Sequence, residues 1–302
     1  MMPVVIAVLG LFLGLFLQKR EGFQTALAIK WTNFYLLNIV LPALALLYIP
    51  QIKAEWALLI PISAAWFTFI LSWIIFASLG KLLNWDRSLT GCLIIVAGLA
   101  NTSFLGFPIV EGLYGKEGMP IALLIDQGGS FLLVSSLSII VGSLYSHERG
   151  KLSSIPLKII TFPPFGFLMG TLVMSILEIP TPEFLMPLLK LIGRTMAPLA
   201  LFAIGLKFSL DFESLKSKYF WYGMGYRLIL APFLVWLLYR NFLSTEDLTF
   251  KVTVLESAMA PMITGSIVAI NFNLRPKLAT LLAGLGIPIA AFSVLAWYYL
   301  LK

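Results

Sequence analysis

The chain is poor in the residues that build chemistry into soluble proteins. It has one cysteine, Cys92, and one histidine, His147, in 302 residues. That excludes a disulfide framework and argues against a zinc or iron site built from this chain alone. No G-x-x-x-x-G-K-[ST] phosphate cradle occurs, so ATP hydrolysis is not expected. There is no His-Glu metal motif, and His147 stands far in sequence from any candidate nucleophile, so an intramembrane enzyme is a poor reading. Charge is scarce as well: 12% of residues are charged and 60% hydrophobic, whereas soluble domains carry roughly 25% charged residues. With a mean hydropathy of +0.96, most of the chain must be solvated by lipid or by its own apolar segments. The net charge of +7 has no span-free basic domain to sit on, which disfavours nucleic acid as a partner.

What is abundant is long apolar runs. Taking runs of about 17 to 25 residues as spans, ten are expected, near Met2–Leu17, Ala26–Tyr48, Ala57–Leu79, Ser88–Leu113, Met119–Leu144, Pro156–Leu177, Phe184–Leu206, Tyr219–Tyr239, Phe250–Ile270 and Lys277–Tyr299. The first precedes its basic pair, Lys19 and Arg20, the reverse of a signal peptide, and is read as a retained span. Alternate connections then hold Lys19, Arg20, Lys30, Lys81, Arg87, Arg149, Lys151, Lys158, Lys207, Lys216, Lys218, Arg275 and Lys277 on one side, against Lys53, Lys116, Arg240, Lys251 and Lys302 on the other. Lys and Arg favour the cytoplasmic face, so both termini are expected on the non-cytoplasmic side of a cell membrane. A missed or invented span would swap the faces and erase the asymmetry.

The halves on either side of a short hydrophilic connection echo one another. Leu41-Pro42-Ala43-Leu44 matches Ala197-Pro198-Leu199-Ala200, Leu123-Leu124-Ile125 matches Leu281-Leu282-Ala283, and Leu99-Ala100-Asn101 falls opposite Met259-Ala260-Pro261. Five spans per half is an odd number, so the second half runs through the membrane in the opposite sense. The expected fold is therefore an all-α polytopic membrane protein of ten helices in a 5+5 inverted repeat, residues 1–146 and 156–302, joined by a cytoplasmic connection at 147–155.

Two spans carry breaks at equivalent positions. Gly98-Leu99-Ala100-Asn101-Thr102-Ser103-Phe104-Leu105-Gly106-Phe107-Pro108 in the fourth is a poor recipe for unbroken helix. In the ninth, Pro261 removes a backbone donor within Ser257-Ala258-Met259-Ala260-Pro261-Met262-Ile263-Thr264-Gly265-Ser266. Irregular backbone at membrane depth is tolerated where protein buries it or water reaches it. Crossed breaks thus mark a binding site, with Asn101, Thr102, Ser103, Thr264 and Ser266 as its polar lining and helix ends supplying partial charges. Asn101 suits a carboxylate or amide, or it ties up a freed backbone group; the hydroxyls bind, or back-bond to their own turns. Glu256, five residues before Pro261, is costly in a membrane unless paired, hydrated or protonated: it couples transport to a proton or sodium, or it pairs with Arg227 or Arg194. Asp126, beside Gln127 and Gly128-Gly129, is either a second coupling group or a solvated interfacial one. Arg227 pairs with a carboxylate or snorkels to the cytoplasmic face. Arg194, sharing a helix face with Lys190, either attracts an anion or snorkels outward.

The fourth-span sequence Asn101-Thr102-Ser103-Phe104-Leu105-Gly106-Phe107-Pro108 with Tyr114-Gly115, the run Pro198-Leu199-Ala200-Leu201-Phe202-Ala203-Ile204-Gly205, and Pro261 resemble the auxin efflux carrier family, which includes plant PIN-type carriers and bacterial permeases for malate or malonate. The resemblance implies a fold related to sodium/proton antiporters and bile-acid symporters, working as an elevator. Spans one, two, six and seven would form a scaffold, through which a homodimer assembles, and spans three to five with eight to ten the moving domain. It carries Asn101 over as a substrate-binding residue, with Pro108 and Pro261 as helix breakers. The long hydrophilic loop of plant carriers is absent, which puts auxin itself in doubt. The expected function is secondary transport of a small organic anion, a mono- or dicarboxylate, with no cofactor and with Na+ or H+ coupling as one option and uniport as the other. A sodium-coupled bile-acid-type symporter and a non-transporting membrane receptor are the alternatives.

Overall fold

Proline governs the local geometry of this helical protein, whose computed structural model describes residues 2–51, 59–146, 163–207 and 216–302. A proline inside a helix lacks its N–H, and its ring collides with the carbonyl four residues earlier. Three times the backbone answers with a widened π-helical turn just ahead: Leu36–Val40 before Pro42, Thr102–Gly106 before Pro108, and Tyr226–Leu230 before Pro232. The carbonyl that Pro232 strands, that of Leu228, is recovered by two donors, the Ser293 hydroxyl at 2.8 Å and the Trp297 indole at 3.0 Å. Buried carbonyls need such partners, and here the last helix of the chain supplies them.

Among the described residues, six helical stretches are long and apolar enough to cross a membrane: Thr25–Tyr48, Leu59–Leu82, Thr102–Tyr145, Glu183–Leu206, Lys218–Tyr239 and Pro276–Leu300. Leu9–Gln18 and Arg87–Gly98 are shorter and apolar. The 44-residue stretch from Thr102 is not one rod, because Gly115 leaves helical geometry at φ 68°, a region open to glycine. The protein is a multi-pass membrane protein. The expected connection at 147–155, His147 included, lies outside the described residues.

The chain divides into two compact units. The first comprises Met1–Leu58, Ser103–Leu123 and Ile160–Phe208. In it, Met2–Gln18 packs lengthwise on Met196–Lys207. Their close approach needs glycine: a Cβ on Gly14 would collide with the Phe202 carbonyl, and one on Gly205 with that of Leu11. In lipid, where apolar burial does not draw helices together, small residues of this kind permit the tight packing that does. Ala43, Leu47 and Leu189 form a further core in this unit, and Thr181 donates to the Leu46 carbonyl at 2.5 Å.

The second unit comprises Leu59–Thr102, Leu124–Ile159 and Ser209–Lys302. Leu59–Leu82 packs on Arg87–Gly98, and Ser72 donates across to the Ile94 carbonyl at 2.8 Å. Ala64, Val235, Tyr239, Phe250, Val254 and Leu301 close another core. At one end of the unit Asp86 caps the Arg87–Gly98 helix through the Leu89 N–H and forms an ion pair with Arg275. Arg275, in left-handed geometry at φ 45°, also donates its backbone N–H to Ser88 at 3.0 Å. Asp86 gains from burial a push upward, but the Arg275 and Leu89 hydrogen bonds and the Arg275 charge outweigh it, leaving its carboxyl below the usual range.

Candidate functional site

Two helices of the second unit stop in mid-course. Arg87–Gly98 ends as Leu99 turns extended, at φ −101° and ψ 125°, and Leu248–Ser257 ends at Ala258. The extended residues then cross. Ala100 and Pro261 form an antiparallel bridge, with the Asn101 N–H on the Ala260 carbonyl at 2.8 Å and the Met262 N–H on the Leu99 carbonyl at 2.9 Å. Pro261 has no N–H to offer, so the bridge uses its neighbours' groups. Each break mends the other through backbone, as membrane burial of irregular chain demands.

Stopping a helix leaves carbonyls without intrahelical partners and a partial negative charge at the C-terminal end. Both ends here are served by one residue. Arg227, wholly buried in the π-helical turn ahead of Pro232, donates Nη1 to the Gly98 carbonyl at 3.0 Å and to that of Ala97 at 3.4 Å, and Nη2 to that of Ser257. The sequence expectation for Arg227, a carboxylate partner or a snorkelling cation, is corrected on both counts. Its planar fork carries enough donors to reach two strands, which a lysine cannot do.

The two carboxylates of the site differ sharply. Asp126 is 1% exposed, which overturns the solvated, interfacial reading. It opens the π-helical turn Asp126–Phe131 and accepts hydrogen bonds from the Thr102 hydroxyl, 2.6 Å, and the Gln127 amide, 2.7 Å. Glu256 is 0% exposed, and neither of its oxygens has a hydrogen-bond partner among the described residues. The pairing with Arg227 or Arg194 is therefore not found. Glu256 and Asp126 lie close enough for their charges to act on each other. Glu256 borders a cavity of about 10 Å³, lined also by Thr68, Thr102, Ser130 and Arg227, room for roughly one water-sized species.

Asn101 is 0% exposed, and both its side-chain oxygen and nitrogen lack partners among the described residues. It therefore does not mend the helix with its amide. Ser266 takes the bland course and back-bonds to the Ile263 carbonyl at 2.7 Å, and Thr264, in the first turn of Ile263–Asn271, is partly exposed. Ser103, Pro108 and Arg194 fall in the first unit. There Arg194 is exposed and borders a cavity of about 30 Å³ with Glu111, Lys116, Lys190 and Tyr48. Thr68 and Ser130 were not singled out from sequence, because single hydroxyls on apolar runs carry no pattern.

A profile of membrane transport proteins matches residues 1–298. The chain belongs to the membrane transport protein family, that of the auxin efflux carriers. Proteins similar to it include an uncharacterized transporter of Methanothermobacter thermautotrophicus, 28% identical over 197 residues, 65% of this chain and 63% of the relative. The uncharacterized transporter MJ1031 of Methanocaldococcus jannaschii is 31% identical over 198 residues, 64% of this chain and 62% of the relative. The matches thus span less than two thirds of these two archaeal proteins. The uncharacterized transporter YfdV of Escherichia coli K12 is 26% identical over 319 aligned positions, 99% of this chain and 96% of the relative. For a membrane transport protein, the crossing described above is a polar, buried interruption within otherwise apolar helices, the kind of place at which transporters bind their substrates.

Proposed function

We propose that this membrane transport protein is a secondary transporter of a small organic anion, a mono- or dicarboxylate, working by elevator-type alternating access. One observation carries the reading: the Ala100–Pro261 bridge joins two interrupted helices beside Asn101, whose buried amide has donor and acceptor capacity and no partner among the described residues. An amide left so is costly, and a carboxylate and its bound water would satisfy both ends. Ten spans in a 5+5 inverted repeat, a scaffold dimer and termini on the non-cytoplasmic side belong to the same reading. The division into two compact units is in keeping with an elevator. An organic anion needs more room than about 10 Å³, so substrate binding requires the crossing to open.

Flux of a panel of radiolabelled mono- and dicarboxylates into proteoliposomes holding the purified protein tests this. Saturable uptake of one class, lost in Asn101→Ala, is the expected result. No uptake of any organic anion above protein-free liposomes would sink the proposal and favour a receptor.

A further inference from the structure

One end of the second unit gathers cations and aromatic rings around a cavity that the crossing does not use. Lys81 lies in the last turn of Leu59–Leu82, Arg87 opens Arg87–Gly98, Lys218 opens Lys218–Gly225, and Arg275 and Lys277 flank Pro276, the first residue of Pro276–Leu300. The Asp86–Arg275 ion pair, and the ring contacts of Trp85 with Tyr219 and Tyr222 at 5.6 Å each, bring these helix ends together. Trp and Tyr concentrate at the headgroup level of a membrane, as do the cations that flank its spans. Both features place this end among the lipid heads.

The cavity there measures about 520 Å³, within the size range of small-ligand sites. Its lining has two characters. Leu89, Leu278 and Leu281 give an apolar floor, Leu89 and Leu281 being buried, while Arg275 and Lys277 stand exposed at the rim with Ser217 and Tyr219 beside them. Lys277 forms no ion pair among the described residues. Arg275 gives one Nη to Asp86, and a guanidinium carries five N–H donors, so it can serve a second anion. Ser217, at the N-cap of Lys218–Gly225, makes no capping bond with its hydroxyl. A wholly polar solute would leave the leucine floor unmatched, and an apolar one would leave the cations so. A molecule with an anionic head and a hydrocarbon tail matches both, and basic pockets between membrane helices recognise lipids of that kind.

We propose that this cavity binds an anionic phospholipid, with Lys277 and Arg275 on the phosphate and the start of an acyl chain along the leucines. The site stands apart from the transport reading and is measured without substrate. Full-length protein in detergent, washed free of lipid, is titrated with phosphatidylglycerol, phosphatidylcholine or inorganic phosphate, and the rise in Tm is followed by tryptophan fluorescence. Phosphatidylglycerol should raise Tm saturably and at a lower mole fraction than phosphatidylcholine. Lys277→Gln should weaken its binding about fivefold, the share of one cation near a lipid head. Lys81→Gln, an equal loss of charge at the same end but outside the cavity lining, should leave binding nearly unchanged. Leu278→Trp, which narrows the floor and keeps every charge, should weaken phosphatidylglycerol too; the exposed Lys277 carries the test if that variant does not fold. No saturable rise with phosphatidylglycerol, equal effects of the two lipids, or equal losses in Lys277→Gln and Lys81→Gln overturns the inference. A rise with inorganic phosphate that matches the lipid's and is lost in Lys277→Gln overturns it in favour of a soluble anion.

Discussion

Arg227 donates to the carbonyl of Gly98 at 3.0 Å, joining the turn ahead of Pro232 to the end of a broken helix 129 residues away in sequence. The same guanidinium takes the Ser257 carbonyl at the other break. One side chain therefore holds both stopped helices.

Replacing it tests that role. Arg227→Met removes donors from three buried carbonyls, each bond to a charged group being worth about 1.5–3 kcal/mol, and should cost about 3 kcal/mol or more. Arg227→Lys keeps the charge but reaches fewer acceptors and should fall between. Thermal unfolding in detergent measures both, and a Lys variant as stable as the wild type would show that charge alone matters.

Asn101→Ala separates binding from folding. Its side chain makes no hydrogen bond among the described residues while its backbone N–H carries the bridge. The variant should match wild-type stability to within about 1 kcal/mol, or gain slightly by removing unmet polar atoms. Anion uptake should be lost. Loss of folded protein on size-exclusion chromatography would instead mean that the amide is structural.

Gly14→Leu and Gly205→Leu should each loosen the first unit, since even a Cβ overlaps a facing backbone carbonyl. Overpacking costs typically 1–3 kcal/mol, so a Tm decrease of several degrees is expected. Gly166→Leu, where a Cβ meets nothing within 4 Å, serves as the control.

The Asp86–Arg275 pair predicts a pH dependence. Asp86 has its folded pKa lowered, so its contribution is present above the unfolded value, about 3.9, and is lost as pH falls through the folded one. Both side chains are partly exposed, 41% and 55%, so the effect is small and weakened by salt. Between pH 6 and pH 3 the stability difference between wild type and Asp86→Asn should shrink. A difference constant over that range would rule the pair out as its source.

Ser293→Ala leaves the Leu228 carbonyl with the Trp297 indole alone. A loss of about 0.5–1.5 kcal/mol is expected. In a Pro232→Ala background the carbonyl can regain its helical donor, so the same substitution should cost less, which a double-mutant cycle reads directly.

Much of this was legible in the residues. The apolar runs announced a multi-pass membrane protein, because hydrophobic length is a local property that lipid enforces directly. Asn101 and Pro261 marked their breaks through helix-opposing residues, and their facing positions in the two halves anticipated the bridge between Ala100 and Pro261. Arg227 defeated local reasoning. A cation on an apolar helix reads as a partner for a carboxylate or as a snorkelling group, and its true acceptors are main-chain carbonyls exposed only because two distant helices stop beside it. Asp126 was ambiguous for a related reason: depth along a run does not say whether water reaches the side chain.

Where helices form, where they must break, and which polar residues share the break could be read from residue order alone. Helix propensity, proline sterics and hydropathy act over a few residues and need no fold. Who satisfies whom depends on contacts between distant parts of the chain: Arg227 serves the helix ends, Thr102 and Gln127 the Asp126 carboxylate, and no described residue Glu256. Hydrogen bonding in a membrane interior is settled by which groups are brought within 3 Å or so of one another with water excluded.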